Sequence, residues 1–423
     1  MGKVKKFLSN EYIFALLTRI FNILIAIAQS IIIARYLGPS LKGNSAYISS
    51  VVGIGAIIIT FGMHQAYPYL KKKYIKDFFF QRYISLMYAI FGLYFVLSLN
   101  FWFILNIPLD IKVALLTMPL AGYSRLMSYV CLIETPNKRN KVSLFITVLL
   151  LIITVVFALF TKANYLWMVI LLVVCNIFEA IYFTYTLRCK PIYDKKSKQL
   201  LCELLKVGFF PMVALLMTTL NYKIDVLMLR QYSFVTYSMI GVYSIGIGLA
   251  DKIVVIPDTL KGVLVSKLSK GAPDGEVARI CRICMVTGIV IFLILLLLGQ
   301  WLIDIMYGEA YDGAYMVILI TSIGVIFIGY FKLIAQYNIV NGNQIKNVEL
   351  LSIAIIVNVI GNLVFVPQMG IYGAAIATSL GNIVCGIVFV LYFSNKTNIP
   401  VKELLFLRKG DLKLVKQIII KKK

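Results

Sequence analysis

The segment Arg188–Lys206, RCKPIYDKKSKQLLCELLK, is the longest basic break in an otherwise apolar chain and carries six Lys or Arg. What flanks it decides the fold. Of the 423 residues, 61% are hydrophobic and 14% are charged, whereas about 25% are charged in a typical soluble protein. A water-soluble surface needs more charge than that, so most soluble folds are excluded. The apolar content also excludes disorder and collagen-like repeats.

A helix needs about 20 apolar residues to cross the hydrocarbon core of a membrane. Outward from Arg188–Lys206, six such stretches precede it, at 12–35, 45–67, 79–103, 113–133, 142–160 and 164–187. Six more follow, at 207–229, 238–260, 283–306, 314–340, 347–366 and 371–394. The expected fold is an all-α polytopic membrane protein of about twelve transmembrane helices in two six-helix lobes. The lobes are 1–187 and 207–394, joined by a basic linker at 188–206 and followed by a basic tail at 395–423.

The 42 Lys and Arg against 18 Asp and Glu give a net charge of +24. With a cytoplasmic N-terminus, 32 of those cations fall in cytoplasmic segments, 5 in outer loops and 5 inside helices. That asymmetry is the positive-inside pattern of inner-membrane proteins. It accounts for the basic excess without nucleic acid and places both termini in the cytoplasm. Arg19 interrupts the apolar run before Ala26-Ile27-Ala28, and Ile31-Ile32-Ile33 continue it, so the first helix reads as an uncleaved span. The tail mixes Leu404, Leu405, Leu414 and Val415 with basic residues, as an interfacial helix or a disordered tail would.

The outer loops are too short to hold a catalytic domain, and the chain carries no GxxxxGK[ST] phosphate loop. A non-enzymatic function among the helices is expected. Cys281-Arg-Ile-Cys284 has metal-like spacing but no second ligand pair, so no metal or other cofactor is expected. The halves echo one another: Arg35 precedes Tyr47 much as Arg230 precedes Tyr243. An even number of helices per half makes that a parallel repeat.

Three stretches carry a family resemblance: Ile33-Ala34-Arg35-Tyr36-Leu37-Gly38-Pro39; Gly208-Phe209-Phe210-Pro211 with Asn221-Tyr222-Lys223-Ile224-Asp225; and Asn358-Val359-Ile360-Gly361-Asn362 with Gly370-Ile371-Tyr372-Gly373-Ala374 through Thr378. In their order and spacing they resemble the Wzx-type O-antigen and capsular flippases of the multidrug/oligosaccharidyl-lipid/polysaccharide exporter superfamily. The resemblance implies two lobes in a V around a central cavity. It also implies alternating-access transport of an undecaprenyl-diphosphate-linked oligosaccharide to the outer leaflet of the bacterial inner membrane. The implied partners are that glycan, membrane lipids and other polysaccharide-assembly proteins. The competing readings are a multidrug antiporter of the same superfamily and a membrane glycosyltransferase or polymerase.

An ionised side chain at a helix centre costs roughly 2.5–3.5 kcal/mol on insertion scales. Arg19, Arg125, Lys223, Lys252 and Lys332 therefore must face a watery cavity, pair with acids or snorkel. Arg19, Asn22, Ala26 and Gln29 share one face of the first helix, as cavity-lining residues or as a small-residue packing face. We expect Arg19, Asn22, Gln29, Arg125, Lys223, Lys252 and Lys332 to bind substrate, the cations meeting the diphosphate. Ser244, Gly248, Asp251 and Asp258 form a polar stripe on helix 8. Asp225, Asp251 and Glu179 are the expected ion-coupling groups or counter-ions, with H+, Na+ or the membrane potential as driving force. His64, the single histidine, reads as a packed side chain or as a pH sensor.

The charge split makes a topological prediction. Reporter fusions at Lys196 and Lys270 should report the cytoplasm, and one at Asp312 the outside; an outside signal at Lys270 would exclude the twelve-helix topology.

Overall fold

The computed structural model describes residues 11–74, 78–268 and 271–406. Among these residues every regular element is helical. They are α1 Glu11–Thr60, α2 Met63–Lys73, α3 Phe79–Ile104, α4 Leu109–Glu134, α5 Pro136–Phe160, α6 Tyr165–Thr186 and α7 Lys195–Leu229. There follow α8 Tyr237–Ala250, a 3-10 turn Asp251–Val254, α9 Val255–Leu268, α10 Gly275–Met306, α11 Ala314–Val340, α12 Gln344–Met369, α13 Ile371–Thr397 and the short α14 Val401–Leu405.

Ten helical runs are long and apolar enough to cross a membrane. The first, Leu24–Lys73, has 50 residues, more than twice the ~20 that one crossing needs, and it is broken twice. α4 is long enough but is diluted by Asp110, Lys112 and Arg125. Each of the twelve expected stretches thus falls on a helix.

The first break corrects the expected outer loop near residue 40. Gly38 alone leaves the helix, at φ 68 and ψ 173, and Pro39 resumes it. Proline disfavours helical geometry in the residue before it, and glycine takes the left-handed φ at little cost. One residue therefore does the work of a loop. The second break is at Phe61 and Gly62, both at positive φ. Here α7 crosses so closely that a Cβ on Gly62 would strike the Gly208 carbonyl, and one on Gly208 would lie 2.5 Å from the Phe61 carbonyl.

The chain divides into two compact units, Met1–Thr219 and Leu220–Lys423, with the division inside α7. In the first unit, α4 packs on α1, α3 and α6, and α5 packs on α1 and α6. Tyr67, Phe79 and Tyr83 form an aromatic cluster beside Leu70, Leu126, Phe183 and Leu204. The segment expected as a free linker over 188–206 is helical from Lys195 onward. Its two acids fasten it to the basic ends of α2 and α3. Lys73 Nζ lies 2.9 Å from both oxygens of Glu203, which also accepts from Tyr74 at 2.7 Å. Arg82 donates to both oxygens of Asp194 at 2.8–3.1 Å. Lys71 and Tyr67 share Glu134 at the end of α4. The Arg82 guanidinium pulls the Asp194 carboxyl down to about 2. That stabilisation is complete above the ordinary carboxylate value near ~4 and is lost only as the pH falls through about 2.

In the second unit, α11 and α13 are the most buried spans. They pack through small residues. A Cβ on Gly324 of α11 would lie 2.6 Å from the Ser379 backbone, and one on Gly386 of α13 would lie 2.6 Å from the Phe327 carbonyl. Between α12 and α13, Gly361 meets Ala377 and Gly381 meets Asn358 in the same way. Such close approach replaces the hydrophobic drive that is absent between helices in lipid. The fully buried Leu404 docks α14, whose carbonyls at Glu403 and Leu404 accept from Arg282 and Tyr330. The start of the tail expected at the membrane surface thus packs into the second unit through Leu404, and residues 407–423 lie outside the described residues.

Gly62→Ala should be costly twice over, through its positive φ and through the collision with α7. About 2–5 kcal/mol is expected from left-handed strain and overpacking together, seen as a lower thermal unfolding midpoint of the detergent-solubilised protein. Gly92→Ala, inside α3 where a Cβ meets nothing within 4 Å, should not lower the midpoint and should raise it slightly through alanine's better helix propensity.

Candidate functional site

The second unit contains two polar clusters. The first is built on α7, where Asn221 and Asp225 stand four residues apart on one helical face. Both are buried, Asp225 at 1% exposure. A buried carboxylate is costly unless its oxygens are fully hydrogen-bonded. Asn362 Nδ2 of α12 donates to Asp225 Oδ1 at 2.8 Å, and Thr378 Oγ1 of α13 lies 2.8 Å from Oδ2. Tyr243 of α8 stands 3.1 Å from the Thr378 hydroxyl, and Asn358 is 3.1 Å from the Asn362 amide. Asn221 Nδ2 reaches Asn382 Oδ1 at 3.2 Å. Each oxygen of the Asp225 carboxylate is thus met by a neutral donor, not by the cation that a counter-ion role would require.

Asn362 Oδ1 and Asn221 Oδ1 are buried with no hydrogen-bond partner. The cluster therefore offers a carboxylate, a hydroxyl and spare amide oxygens. Oxygen-only donor sets suit hard cations, and thiolate or imidazole ligands for soft metals are missing here. Among the described residues no group of three His, Cys, Asp or Glu gathers. A half-turn of the Asn362 amide would aim its free oxygen at a small cation beside Asp225.

The second cluster joins α9 and α11. Asp258 accepts from Lys261 at 2.9 Å through Oδ1 and from Lys332 at 2.9 Å through Oδ2. Lys332 also sits over the Tyr222 ring, 5.5 Å from its centroid. Asp251 and Lys252 occupy the 3-10 turn between α8 and α9. The expected stripe through Ser244, Gly248, Asp251 and Asp258 assumed an unbroken α-helix, and the tightened turn ends its register at Asp251. Asp251 lies within electrostatic reach of Lys332 and Lys252.

The remaining expected residues are dispersed. Lys252 and Arg125 are exposed, and Lys223 is half-buried with an interaction of its own. The side chain of Arg19 lies outside the described residues. Asn22 donates to Ser143 of α5 at 3.2 Å, and Gln29 is buried. Glu179, expected as an ion-coupling group or counter-ion, lies on α6 within electrostatic reach of Arg139. His64 is buried edge-on against Tyr129 at 5.3 Å. The sequence reading missed Asn358, Asn362, Thr378 and Lys261 as site residues. The first two carried a usable sign, two amides four residues apart in an apolar helix.

Among the described residues, ten helical runs are long and apolar enough to cross a membrane, and helix breaks and polar clusters lie among them. No protein-family model matches the chain, and no curated protein matches it by sequence. Solved structures do match in fold. A lipid II flippase MurJ in an inward closed conformation superposes with a TM-score of 0.75 at 17% identity, over 97% of this chain and 93% of that one. An inward-facing MATE-family multidrug resistance transporter of the MOP superfamily gives 0.65 at 12% identity, over 90% and 96%. The Vibrio cholerae MATE transporter VcmN gives 0.59 at 14% identity, over 93% and 98%. The chain shares its fold with that lipid II flippase and with those MATE-family transporters.

The oxygen-rich cluster has a direct test. Sodium chloride should raise the thermal unfolding midpoint of the purified protein relative to choline chloride at equal ionic strength. Asp225→Asn should abolish that difference, and should itself cost about 1–3 kcal/mol because its amide sets a donor against a donor. An equal sodium response in Asp225→Asn would remove this cluster as a cation site.

Proposed function

We propose that the protein is a flippase of the polysaccharide-exporter kind, in the bacterial inner membrane with both termini cytoplasmic. It carries an undecaprenyl-diphosphate-linked oligosaccharide, an O-antigen or capsular repeat unit, to the outer leaflet by alternating access. The observation that carries this reading is the placement of lysine within apolar spans of a fold also seen in a lipid II flippase, with Lys332 on α11 as the clearest case. A diphosphate is anionic, and cationic side chains in a low-dielectric setting match it through charge-assisted hydrogen bonds. Arg125 on α4 is the corresponding cation of the first unit, and Arg19 is the second cation that the sequence offers there. Asp225 supplies the ion-coupling group, exchanging its neutral donors for a cation, and the ion gradient drives the cycle.

A multidrug antiporter of the same superfamily is the second reading. It draws on the MATE-type folds among the matches and on the acids Asp225 and Asp251 in apolar helices. The two readings differ in which charge the substrate meets.

Arg125→Ala should abolish surface glycan in a flippase-deficient strain at normal protein level, and Arg125→Lys should restore part of it, because charge returns without the bidentate fork. Lys413→Ala in the tail should be silent. Wild-type glycan display by both Arg19→Ala and Arg125→Ala would defeat the cationic mechanism and favour the antiporter.

A further inference from the structure

The Lys261–Asp258–Lys332 cluster is arranged unlike an ordinary ion pair. One carboxylate is shared, each oxygen taking one ammonium at 2.9 Å, and the two lysines come from different helices. Because the two oxygens belong to one carboxylate, both ammonium groups are held within reach of a single small anion. The lysines are also graded in access, with Lys261 43% exposed and Lys332 18%. Lys332 is steadied from the other side by the Tyr222 ring.

We propose that Asp258 is a placeholder for phosphate, holding Lys261 and Lys332 as a two-lysine clasp that passes from the carboxylate to the diphosphate of a lipid-linked substrate. The proposal rests on the flippase reading above and adds to it a residue, Lys261, that charge counting assigns to a loop, and a competitor, Asp258. A diphosphate outcompetes the carboxylate because it brings more negative charge and more acceptor oxygens to the same two donors. Lysine suits this exchange better than arginine: it is a compact point charge on a flexible stem and can be handed from one oxygen to another without matching a fork. Lys261, the more exposed of the pair, meets the ligand first, and Lys332 completes the grip. Released Asp258 is then left without its two cations.

The test uses the full-length protein in lipid nanodiscs and titrates geranylgeranyl diphosphate, geranylgeranyl monophosphate and geranylgeraniol by calorimetry. Wild type should bind the diphosphate more tightly than the monophosphate by roughly tenfold, the worth of one charge-assisted contact. Lys261→Ala and Lys332→Ala should each lose about that factor and with it the preference, and Lys261→Arg should regain most of it. Asp258→Asn should move the other way and tighten diphosphate binding about tenfold, because the internal competitor is gone. A structural role for the cluster would weaken binding in all three variants alike. Unchanged or weaker binding by a folded Asp258→Asn, or unchanged binding by Lys261→Ala, overturns the clasp while wild-type diphosphate binding keeps the flippase reading. Wild-type affinity no greater for the diphosphate than for geranylgeraniol overturns both. Should Asp258→Asn not fold, the exposed Lys261→Ala decides the matter through its diphosphate-over-monophosphate preference.

Discussion

Asp225 has no exposed surface to speak of, and a carboxylate in that position survives only where the fold brings donors to it. They come from far along the chain, Asn362 from 137 residues away and Thr378 from 153. To deliver them, α12 and α13 must run almost in backbone contact with one another. Gly361 and Gly381 make that possible. The polar centre and the small-residue packing of the second unit are therefore one requirement seen from two sides. A larger residue in the packing would part the donors, and a missing donor would leave a buried oxygen unmet.

The first unit solves a different problem. Its basic segments repel one another, yet α2, α3 and the start of α7 converge. Glu134, Asp194 and Glu203 allow it, each set against a cation of another element. Lys71, Lys73 and Arg82 thus serve both in the charge asymmetry of the sequence and as fasteners. Exposed pairs of this kind contribute little singly, typically under about 1 kcal/mol. Their value lies in setting where three helix ends meet, beside the aromatic cluster of Tyr67, Phe79 and Tyr83.

The helices themselves were legible because lipid tolerates few alternatives to a long apolar helix. Gly38-Pro39 was legible as a junction, but its width was not, since composition cannot distinguish a loop from a one-residue kink. Asp225, Lys332 and Asp258 stood out as charges in apolar runs. Their partners did not: Lys332 and Asp258 are 74 residues apart, and nothing local pairs them. Asn22 illustrates the converse. Its helical face suggested a cavity, and only the opposite helix, with Ser143 on it, reveals a packing contact. The stripe on helix 8 failed for a local reason, the 3-10 turn at Asp251–Val254, which the sequence DKIV does not announce.

That turn has a mechanical consequence. A 3-10 helix advances about 120° per residue where an α-helix advances about 100°. Four residues wound the tighter way turn everything after them through roughly 80° more than an α-helix would. Asp258 lies just beyond, so its bearing toward Lys332 is set by how tightly four upstream residues are coiled. The orientation of one aspartate is thus written into the pitch of the backbone before it.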